Sequence, residues 1–458
     1  MSSSAFHLKP EEVDKFEKRR KYTLCVVGCG QIGVLHACLF AEAGFKVICA
    51  DADQAIINNV AKGKIPFLTR EVGLKLKNYA KAERLTVAND VKKAVSQSDV
   101  IIITVPVEID EKKKTDYSKM ENICKHVGSS LRRETLVIVI STVGVGTTED
   151  LIKEVLENAS GFKVGVDFGL AYSPTLVRSQ SLETLLNQER IVAAMDKSSL
   201  SAAATILGII TKGDLKKMEN VRMAEASILF AAIQRSVSTA LANELAFFCE
   251  KADVDYPETQ KIANNRELSA PLLPKLADEG THETSHLLLE DAESLNLKLR
   301  FPAITMEVNE ETLKHAVNLT KDALRNCGKP LRRARISLLG ITEAPNEKSA
   351  PKKIVMKLAR MLEARGAKVS LYDPYFSDDE LVEMECPRSK NLTEALEGAD
   401  CILIATGHEQ FKRLNLKRLK VMTKTPVAIV DFTGIVEPDK VEKEGFIYRG
   451  LGRGVWRK

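Results

Sequence analysis

Residues 23–53 constrain the fold of this chain more than any other stretch. They read T-L-C-V-V-G-C-G-Q-I-G-V-L-H-A-C-L-F-A-E-A-G-F-K-V-I-C-A-D-A-D, which predicts an apolar strand, a glycine turn, a helix ending near Gly44 and a second strand ending in Asp51. Strand, helix and strand within about 30 residues form a βαβ unit, and such a unit requires neighbouring parallel strands. The chain is therefore expected to be an α/β protein.

The glycine turn carries a dinucleotide-binding pattern, G-x-G-x-x-G, formed by Gly28, Gly30 and Gly33. Glycine at these positions allows a tight turn, a close approach of the backbone to a pyrophosphate, and close packing of the helix on the strand. The helix N-terminus that follows attracts negative charge. Gly28, Gly30, Gln31, Ile32 and Gly33 are therefore predicted to bind the cofactor.

Asp51 lies about twenty residues beyond the turn, where a carboxylate accepts hydrogen bonds from the adenosine ribose and disfavours a 2′-phosphate. This spacing favours NAD over NADP. Further strands are predicted in D-V-I-I-I-T-V (99–105) and L-V-I-V-I-S-T-V (136–143). Because parallel strands end at the ligand crevice, Val105 and Thr142 join the predicted cofactor site.

A long helix is predicted over 222–253, which contains neither Gly nor Pro. Its apolar residues surround nearly the whole helix, which favours burial against other helices or in a subunit interface. A second βαβ unit runs from Arg335 to Asp373, and another strand from Asp400 to Thr406. This half lacks G-x-G-x-x-G, so it is expected to bind a different ligand.

With 458 residues the chain is too long for one ordinary core. The predicted fold is α/β, with two Rossmann-like doubly wound parallel-sheet domains joined by a long central helix and a helical middle domain. The predicted boundaries are 1–215 for the NAD-binding domain, 216–328 for the helical domain and 329–458 for the second Rossmann-like domain.

The charge balance argues against a nucleic-acid or membrane partner. Lys and Arg number 67 against 62 Asp and Glu, giving a net charge of only +5. The N-terminal residues contain no apolar signal segment, and no run of 18 apolar residues occurs, so a cytoplasmic protein is expected. Nine cysteines without a C-x-x-C pair are expected to be reduced thiols.

The segment 282–286 reads H-E-T-S-H, which has the H-E-x-x-H spacing of zinc sites. Three interpretations are open: His282 and His286 bind a metal, one of them acts as a base in a hydride transfer, or both are solvated or hydrogen-bonded structurally. An unperturbed imidazole titrates near pH 6.5, which suits a base. The structural interpretation is favoured, and no metal is expected.

Several stretches resemble the UDP-glucose/GDP-mannose dehydrogenase family, in particular its UDP-N-acetylmannosamine dehydrogenase-like members. S-T-V-G-V-G-T-T (141–148) is similar to the family's S-T-V-x-P-G-T-T, and A-Y-S-P (171–174) to its S-P-E-R strand end. L-A-N-E-L (241–245), Y-D-P-Y (372–375) and Y-R-G-L-G-R-G (448–454) resemble landmarks of its central helix, C-terminal domain and chain end.

The resemblance implies NAD, a nucleotide-sugar substrate such as a UDP-sugar, a role in polysaccharide biosynthesis, and a homodimer or higher homo-oligomer formed through the central helix. Family members oxidise an alcohol of the sugar to a carboxylate with two NAD. Thr175, Arg178 and Lys348 occupy the implied substrate positions, and Thr142 is a weak catalytic candidate. His408, in A-T-G-H-E-Q-F, is expected to line a strand end of the second domain.

The sequence departs from the family at its catalytic groups. The family's G-G-x-C-x-P-x-D loop aligns its cysteine near Gly280, which predicts that H-E-T-S-H lies in this loop. However, no cysteine lies between Cys249 and Cys327. The family's helix lysine and asparagine fall at Ile228 and Ala232. Without the thiolate, the second oxidation has no covalent intermediate.

The leading hypothesis is therefore an NAD-dependent oxidoreductase acting on a CH-OH group of a nucleotide sugar, limited to a two-electron step. The alternative is a catalytically inactive NAD- and nucleotide-sugar-binding pseudoenzyme, a regulatory subunit that pairs with a catalytic paralogue. A zinc hydrolase is the third hypothesis.

Overall fold

The computed structural model of the chain describes residues 4–65, 68–110, 114–175, 181–263, 273–276, 279–376, 380–381, 389, 391–423 and 425–457. Residue contacts divide the chain into two compact units, 1–231 with 286–298, and 232–285 with 299–458. The boundaries of the three predicted domains stay a prediction. Within the described ranges, no helix combines the length and apolar character needed to cross a membrane.

The first unit is built on an eight-stranded sheet. Its strands are β1 (Thr23–Val27), β2 (Lys46–Ala50), β3 (Leu85–Ala88), β4 (Val100–Ile103), β7 (Leu136–Val139), β8 (Gly169–Tyr172), β9 (Arg190–Ala194) and β10 (Leu215–Met218), with β5 (Glu108–Ile109) and β6 (Thr115–Asp116) forming a separate antiparallel pair. The sheet order is β10-β9-β8-β7-β4-β1-β2-β3. The part β3-β2-β1-β4-β7-β8 is the doubly wound order of dinucleotide-binding domains.

All pairs in this sheet are parallel except β8 with β9, which is antiparallel. The sequence predicted a parallel sheet throughout, and an antiparallel strand near the edge is common in large sheets of this type. Every residue of β4 and β7 is buried. This explains their uninterrupted apolar runs, because the two faces of the sheet support separate hydrophobic cores.

Helices pack around this sheet. They are α1 (Phe16–Arg19), α2 (Gln31–Ala43), α3 (Gln54–Lys62), α4 (Arg70–Lys81), α5 (Val91–Ser96), α6 (Ser118–Gly128), α7 (Lys153–Ser160), α8 (Leu182–Asn187) and α9 (Lys197–Ile209), with a π-helical turn at Thr148–Ile152 and a 3₁₀ turn at Pro10–Glu12. The helix predicted to end near Gly44 ends there, because Gly44 adopts the left-handed conformation that closes a helix.

The second unit contains a five-stranded parallel sheet. Its strands are β11 (Arg335–Leu339), β12 (Lys368–Tyr372), β13 (Cys401–Ile404), β14 (Ala428–Asp431) and β15 (Ile447–Gly450). The order β12-β11-β13-β14-β15 is the 2-1-3-4-5 arrangement of doubly wound folds. In such a sheet the order reverses between β11 and β13, and ligands bind beyond the carboxyl ends of those two strands.

The remaining helices are α10 (Val221–Lys251), α11 (Tyr256–Ala263), α12 (Glu279–Ser294), α13 (Arg300–Asn326), α14 (Lys353–Glu363), α15 (Leu392–Leu396), α16 (Glu409–Lys412), α17 (Leu416–Met422) and α18 (Pro438–Lys443), followed by a 3₁₀ turn at Gly454–Arg457. The long helix predicted over 222–253 is thus α10. Its burial is not complete within one chain, because Leu241, Leu245 and Phe248 are 46%, 44% and 68% exposed.

The H-E-T-S-H segment lies within helix α12, whereas the sequence placed it in a loop. That prediction was wrong. It relied on the glycine-rich loop of the family motif, but residues 281–294 contain neither glycine nor proline, and three leucines follow His286. Helix formation is therefore the expected local preference of this segment.

Candidate functional site

The glycine turn between β1 and α2 has the geometry of a dinucleotide-binding loop. Gly28 has φ +96°, a conformation that side chains rarely adopt. A Cβ on Gly33 would lie 2.0 Å from the carbonyl oxygen of Gly28, so helix and turn touch through bare backbone. A Cβ on Gly30 would meet no protein atom within 4 Å. Open space beside this backbone is what an approaching pyrophosphate requires.

Neighbouring strand ends surround this turn. Val27 of β1 pairs in register with Ala50 of β2 and Ile103 of β4. Thr104, which follows β4, donates from Oγ1 to the Gly28 carbonyl oxygen at 2.6 Å. Val105 is 8% exposed, and a Cβ on Gly28 would lie 3.1 Å from its Cγ2. Thr104 therefore fixes the turn from the side of β4.

Asp51 follows β2 and reaches back to the same turn. Its Oδ2 accepts from the backbone N–H of Cys29 at 2.8 Å, and its Oδ1 accepts from that of Asp53 at 3.0 Å. Gln31 and Ile32 open helix α2, with Ile32 packed against the core of the domain. The sequence-predicted cofactor residues thus converge at the carboxyl ends of β1, β2 and β4.

Thr142 lies beyond β7, in a segment that we call the β7 loop (residues 141–148). Side chains from outside this loop accept hydrogen bonds from its backbone N–H groups. Gly144 N donates to Tyr117 Oη at 3.0 Å and Val145 N to Asp291 Oδ2 at 2.7 Å. Tyr117 directly precedes helix α6 and Asp291 lies in helix α12, and a third contact comes from helix α10.

The contact from α10 is made by Glu225, which is completely buried. Its Oε2 accepts from Gly146 N at 2.6 Å and its Oε1 from Thr148 N at 2.8 Å. Burial raises the pKa of this carboxyl, while the two backbone N–H groups oppose the rise. Because Thr148 begins a helical segment, the carboxylate also lies at the positive end of the helix dipole.

A second cluster lies at the carboxyl ends of β11 and β13, where the order of the second sheet reverses. Asp373 Oδ2 accepts from the N–H groups of Ile341 and Thr342, at 2.7 and 3.1 Å. His408 Nδ1 accepts from Asn346 N at 2.9 Å, which leaves the ring proton of a neutral imidazole on Nε2. Nε2 lies 3.1 Å from Asp373 Oδ2. His408 thus orders the loop after β11, and it lies at the strand end that the sequence predicted.

Lys352 points into the same strand ends. Its Nζ donates to Thr406 Oγ1 at 3.3 Å and to the Ala405 carbonyl oxygen at 3.4 Å. Burial lowers the pKa of this ammonium to about 8. A weakly solvated cation next to a set of strand ends attracts an anionic ligand, such as a phosphate.

The predicted substrate residues lie in different surroundings. Lys348 Nζ forms an ion pair with Glu380 at 2.6 Å, with both side chains less than one-fifth exposed. Thr175 follows β8, and its buried Oγ1 has no hydrogen-bond partner in the part of the chain that is described. Arg178 lies outside the described residues.

The histidines of the H-E-T-S-H segment share helix α12. The side chain of His282 lies outside the described part of the molecule, whereas His286 is half-buried. Among the described residues, no group of three or more His, Cys, Asp or Glu side chains is arranged to hold a metal ion. The catalytic and metal interpretations of these histidines stay predictions.

The two positions at which the family resemblance predicts a lysine and an asparagine are apolar and buried in α10. Ile228 is 8% exposed and Ala232 is 3% exposed. The eight cysteines in the described ranges are free thiols, and all are buried. Burial raises the pKa of several of them, including Cys124 to about 12, which opposes thiolate formation.

The glycine turn, the strand order and the second doubly wound sheet define an NAD-binding dehydrogenase fold with an additional nucleotide-binding module. Two family models match the chain: the NAD binding domain of the UDP-glucose/GDP-mannose dehydrogenase family over residues 22–209, and the UDP binding domain of the same family over residues 338–438. The chain belongs to the UDP-glucose/GDP-mannose dehydrogenase family, whose cofactor is NAD, and this confirms the predicted family, fold class and cofactor.

Relatives match over nearly the whole chain. A UDP-N-acetyl-D-mannosamine dehydrogenase from Pyrococcus horikoshii is 28% identical over 438 residues, which is 94% of this chain and 99% of the relative. A UDP-glucose 6-dehydrogenase from Bacillus subtilis is 26% identical and covers 94% and 93%. The solved structure of a UDP-D-ManNAc dehydrogenase from P. horikoshii has a TM-score of 0.82 at 27% identity, covering 94% of this chain and all of that one.

Several residues of the two sites were not predicted from the sequence. Thr104 directly precedes the predicted residue Val105, so its position at a strand end could have indicated it. Tyr117, Glu225 and Asp291 reach the β7 loop from distant parts of the chain, and no motif marks them. Lys352 reads as an ordinary surface lysine at a helix start.

Proposed function

We propose that this protein transfers a hydride between NAD and an alcohol carbon of a nucleotide sugar in a single two-electron step, and does not complete the four-electron oxidation. The observation that carries the proposal is the absence of any cysteine between Cys249 and Cys327. The family motif places its thiolate in this stretch. Without a thiolate, the aldehyde cannot be held as the covalent intermediate that the second hydride transfer needs.

The cofactor assignment within the proposal follows the strand ends of the first sheet. Gly28, Gly30 and Gly33 would receive the pyrophosphate, with Gln31 and Ile32 at the helix start, as the open space beside Gly30 supports. Asp51 would accept from the adenosine ribose, as the carboxylate after the second strand does in this fold. Val105 and Thr142 would line the nicotinamide half, because β4 and β7 are neighbours.

The nucleotide sugar would bind at the second sheet, because residues 338–438 match the family's UDP binding domain. Lys348 and the half-buried Lys352 would supply the cations that a diphosphate requires. Thr175, which follows β8, and Arg178 are the further substrate candidates that the family resemblance implies. Two-electron oxidation of its alcohol gives an aldehyde or ketone, with the hydride passing to NAD and the proton to a base. His282 and His286 are the candidates for that base, beside Thr142.

A second function is favoured by the apolar replacements in α10. Ile228 and Ala232 offer no charge or hydrogen bond to an alkoxide, and such groups are worth several kcal/mol of barrier in enzymes that use them. A protein that has lost them while keeping the NAD turn is suited to bind its ligands without turnover. The alternative is therefore a pseudoenzyme that binds NAD and a nucleotide sugar and pairs with a catalytic paralogue.

One experiment separates these functions. The purified protein is incubated with NAD and a panel of UDP- and GDP-sugars, NADH is followed at 340 nm, and carbonyl products are trapped with hydroxylamine. The two-electron enzyme gives one NADH per trapped carbonyl. Two NADH per uronic acid would refute the proposal, and saturable NAD binding without NADH across the panel would favour the pseudoenzyme.

The partner that we propose for α10 is a second copy of this chain. Leu241, Leu245 and Phe248 follow the i, i+4, i+7 spacing of one helical face, and all three are exposed. An exposed apolar face of this kind on a long helix is typical of a homodimer contact.

A further inference from the structure

The β7 loop lies on the nicotinamide side of the cofactor crevice. In the sheet order, β2 lies on one side of the β1–β4 pair and β7 lies on the other. A dinucleotide spans the point where the order reverses, with its adenosine half towards β2 and Asp51. The nicotinamide half therefore extends towards β4 and β7, so the shape of the β7 loop affects cofactor binding.

Side chains from other segments accept most of the hydrogen bonds described for the backbone N–H groups of this loop. Within it, Thr147 N donates to the Gly144 carbonyl oxygen at 3.2 Å. The N–H groups of Gly144, Val145, Gly146 and Thr148 instead bond to side chains of other segments. Those outside side chains set the conformation of the loop.

Of these outside side chains, Asp291 bonds to a residue at which the loop differs from the family motif. The family motif S-T-V-x-P-G-T-T has proline where this chain has Val145. Proline has no N–H, whereas valine brings a donor that needs an acceptor. Asp291 Oδ2 accepts from Val145 N at 2.7 Å. The substitution in the loop and the carboxylate on α12 therefore fit each other.

Gly144 completes the match. A Cβ at this position would lie 2.8 Å from Asp291 Oδ1 and 2.9 Å from Tyr117 Oη. The Asp291 carboxylate can thus rest against the loop only because residue 144 has no side chain. Gly144, Val145 and Asp291 form one unit, which we call the loop anchor.

Helix α12 has a second attachment next to the anchor. Glu290 Oε2 accepts from the backbone N–H of Thr115, in strand β6, at 2.9 Å. Two consecutive residues of α12 thus bond to two backbone N–H groups of the same domain. This end of α12 is held in place, so Asp291 presents its carboxylate in a defined position.

We propose that Asp291 is a positioning residue for the cofactor. By accepting from Val145 N, it holds the β7 loop in the shape that accepts the nicotinamide half of NAD. Asp291 does not touch the reacting atoms. NAD affinity therefore depends on a residue 146 positions away from the amide that it holds.

The test is a double-mutant cycle on NAD affinity, measured by titration of the full chain with NAD and with NADH. Asp291→Leu removes the acceptor and Val145→Pro removes the donor. Each single variant should weaken binding about tenfold, which is about 1.4 kcal/mol. The double variant Asp291→Leu/Val145→Pro should bind within about threefold of the wild type, because neither partner is left unpaired.

Two further variants guard the test against a general loss of structure. Asp291→Asn keeps an oxygen acceptor for Val145 N and should bind NAD like the wild type. Glu293 is an exposed carboxylate on the same helix, and it pairs with Lys114 at 3.6 Å. Glu293→Gln should also leave NAD binding unchanged. The proposal is overturned if Asp291→Leu binds NAD as the wild type does, or if the double variant is as weak as the product of the two single effects.

Discussion

The substitution Gly30→Ala separates folding from cofactor binding. Gly30 has φ −67° and ψ −175°, an extended conformation that alanine adopts freely. Because the added Cβ would meet no protein atom within 4 Å, it creates no clash in the folded chain. Removing a glycine also stiffens the unfolded chain, so stability should stay the same or rise by about 0.4–1 kcal/mol. Cofactor binding should respond in the opposite way.

The methyl group would occupy the space through which the backbone approaches the pyrophosphate. We expect the Kd for NAD to rise by at least about tenfold, equivalent to about 1.4 kcal/mol. Titration calorimetry measures the Kd for NAD, and differential scanning calorimetry measures the melting temperature. The melting temperature should change by no more than about 4 °C.

Two glycines provide matched comparisons. Gly33→Ala places a Cβ 2.0 Å from the Gly28 carbonyl oxygen and 2.7 Å from Thr104 Oγ1, so it should destabilise the fold by at least about 1–3 kcal/mol. Gly208→Ala, in helix α9, meets only Leu215 Cδ1 at 3.9 Å and should affect neither quantity. Wild-type affinity in Gly30→Ala would refute the assignment of this turn to the pyrophosphate.

Three other substitutions test the buried charges and the exposed helix face. Glu225→Gln should cost about 1–3 kcal/mol, since one of the two backbone N–H groups loses its acceptor. Burial raises the folded-state pKa of Glu225, so its carboxyl favours folding below about pH 4.5 and this contribution is lost as pH rises through the folded pKa. In urea unfolding, the free energy of unfolding should fall less between pH 4.5 and 8 in the variant than in the wild type. An equal fall in both proteins would contradict this account. Lys352→Met should raise the free energy of unfolding at pH 7, because burial lowers the pKa of this lysine to about 8 in the folded chain. The wild type should gain stability between about pH 8 and the unfolded pKa near 10.4, and the variant should lack this gain. Equal unfolding midpoints of the two proteins at pH 7 would count against this prediction. Phe248→Glu places a charge on the exposed face of α10 and should convert a dimer to a monomer in sedimentation velocity, whereas a wild type that is already monomeric would exclude the proposed contact.

The arrangement of strand, turn and helix around Gly28, Gly30 and Gly33 could be predicted from the sequence because its parts are close together in the chain. The glycine turn, the helix that follows and Asp51 lie within one βαβ unit of about 30 residues. Local sequence determines where this strand ends and the helix begins, and the doubly wound arrangement of the strands then brings Val105 and Thr142 to the same edge. The sequence alone also shows that no cysteine lies between Cys249 and Cys327, which is the observation on which the proposed two-electron step depends.

The shape of the β7 loop was decided only by the tertiary structure. Glu225 lies 79 residues from Gly146, and Asp291 lies 146 residues from Val145. A carboxylate in a helix reads as a surface charge unless the backbone N–H that it meets is known. In the same way, the motif comparison placed H-E-T-S-H in a loop, whereas the segment forms helix α12 and carries Asp291 to its acceptor position. Sequence spacing reports neighbours along one element, but a buried hydrogen bond between distant elements depends on how their packed surfaces meet.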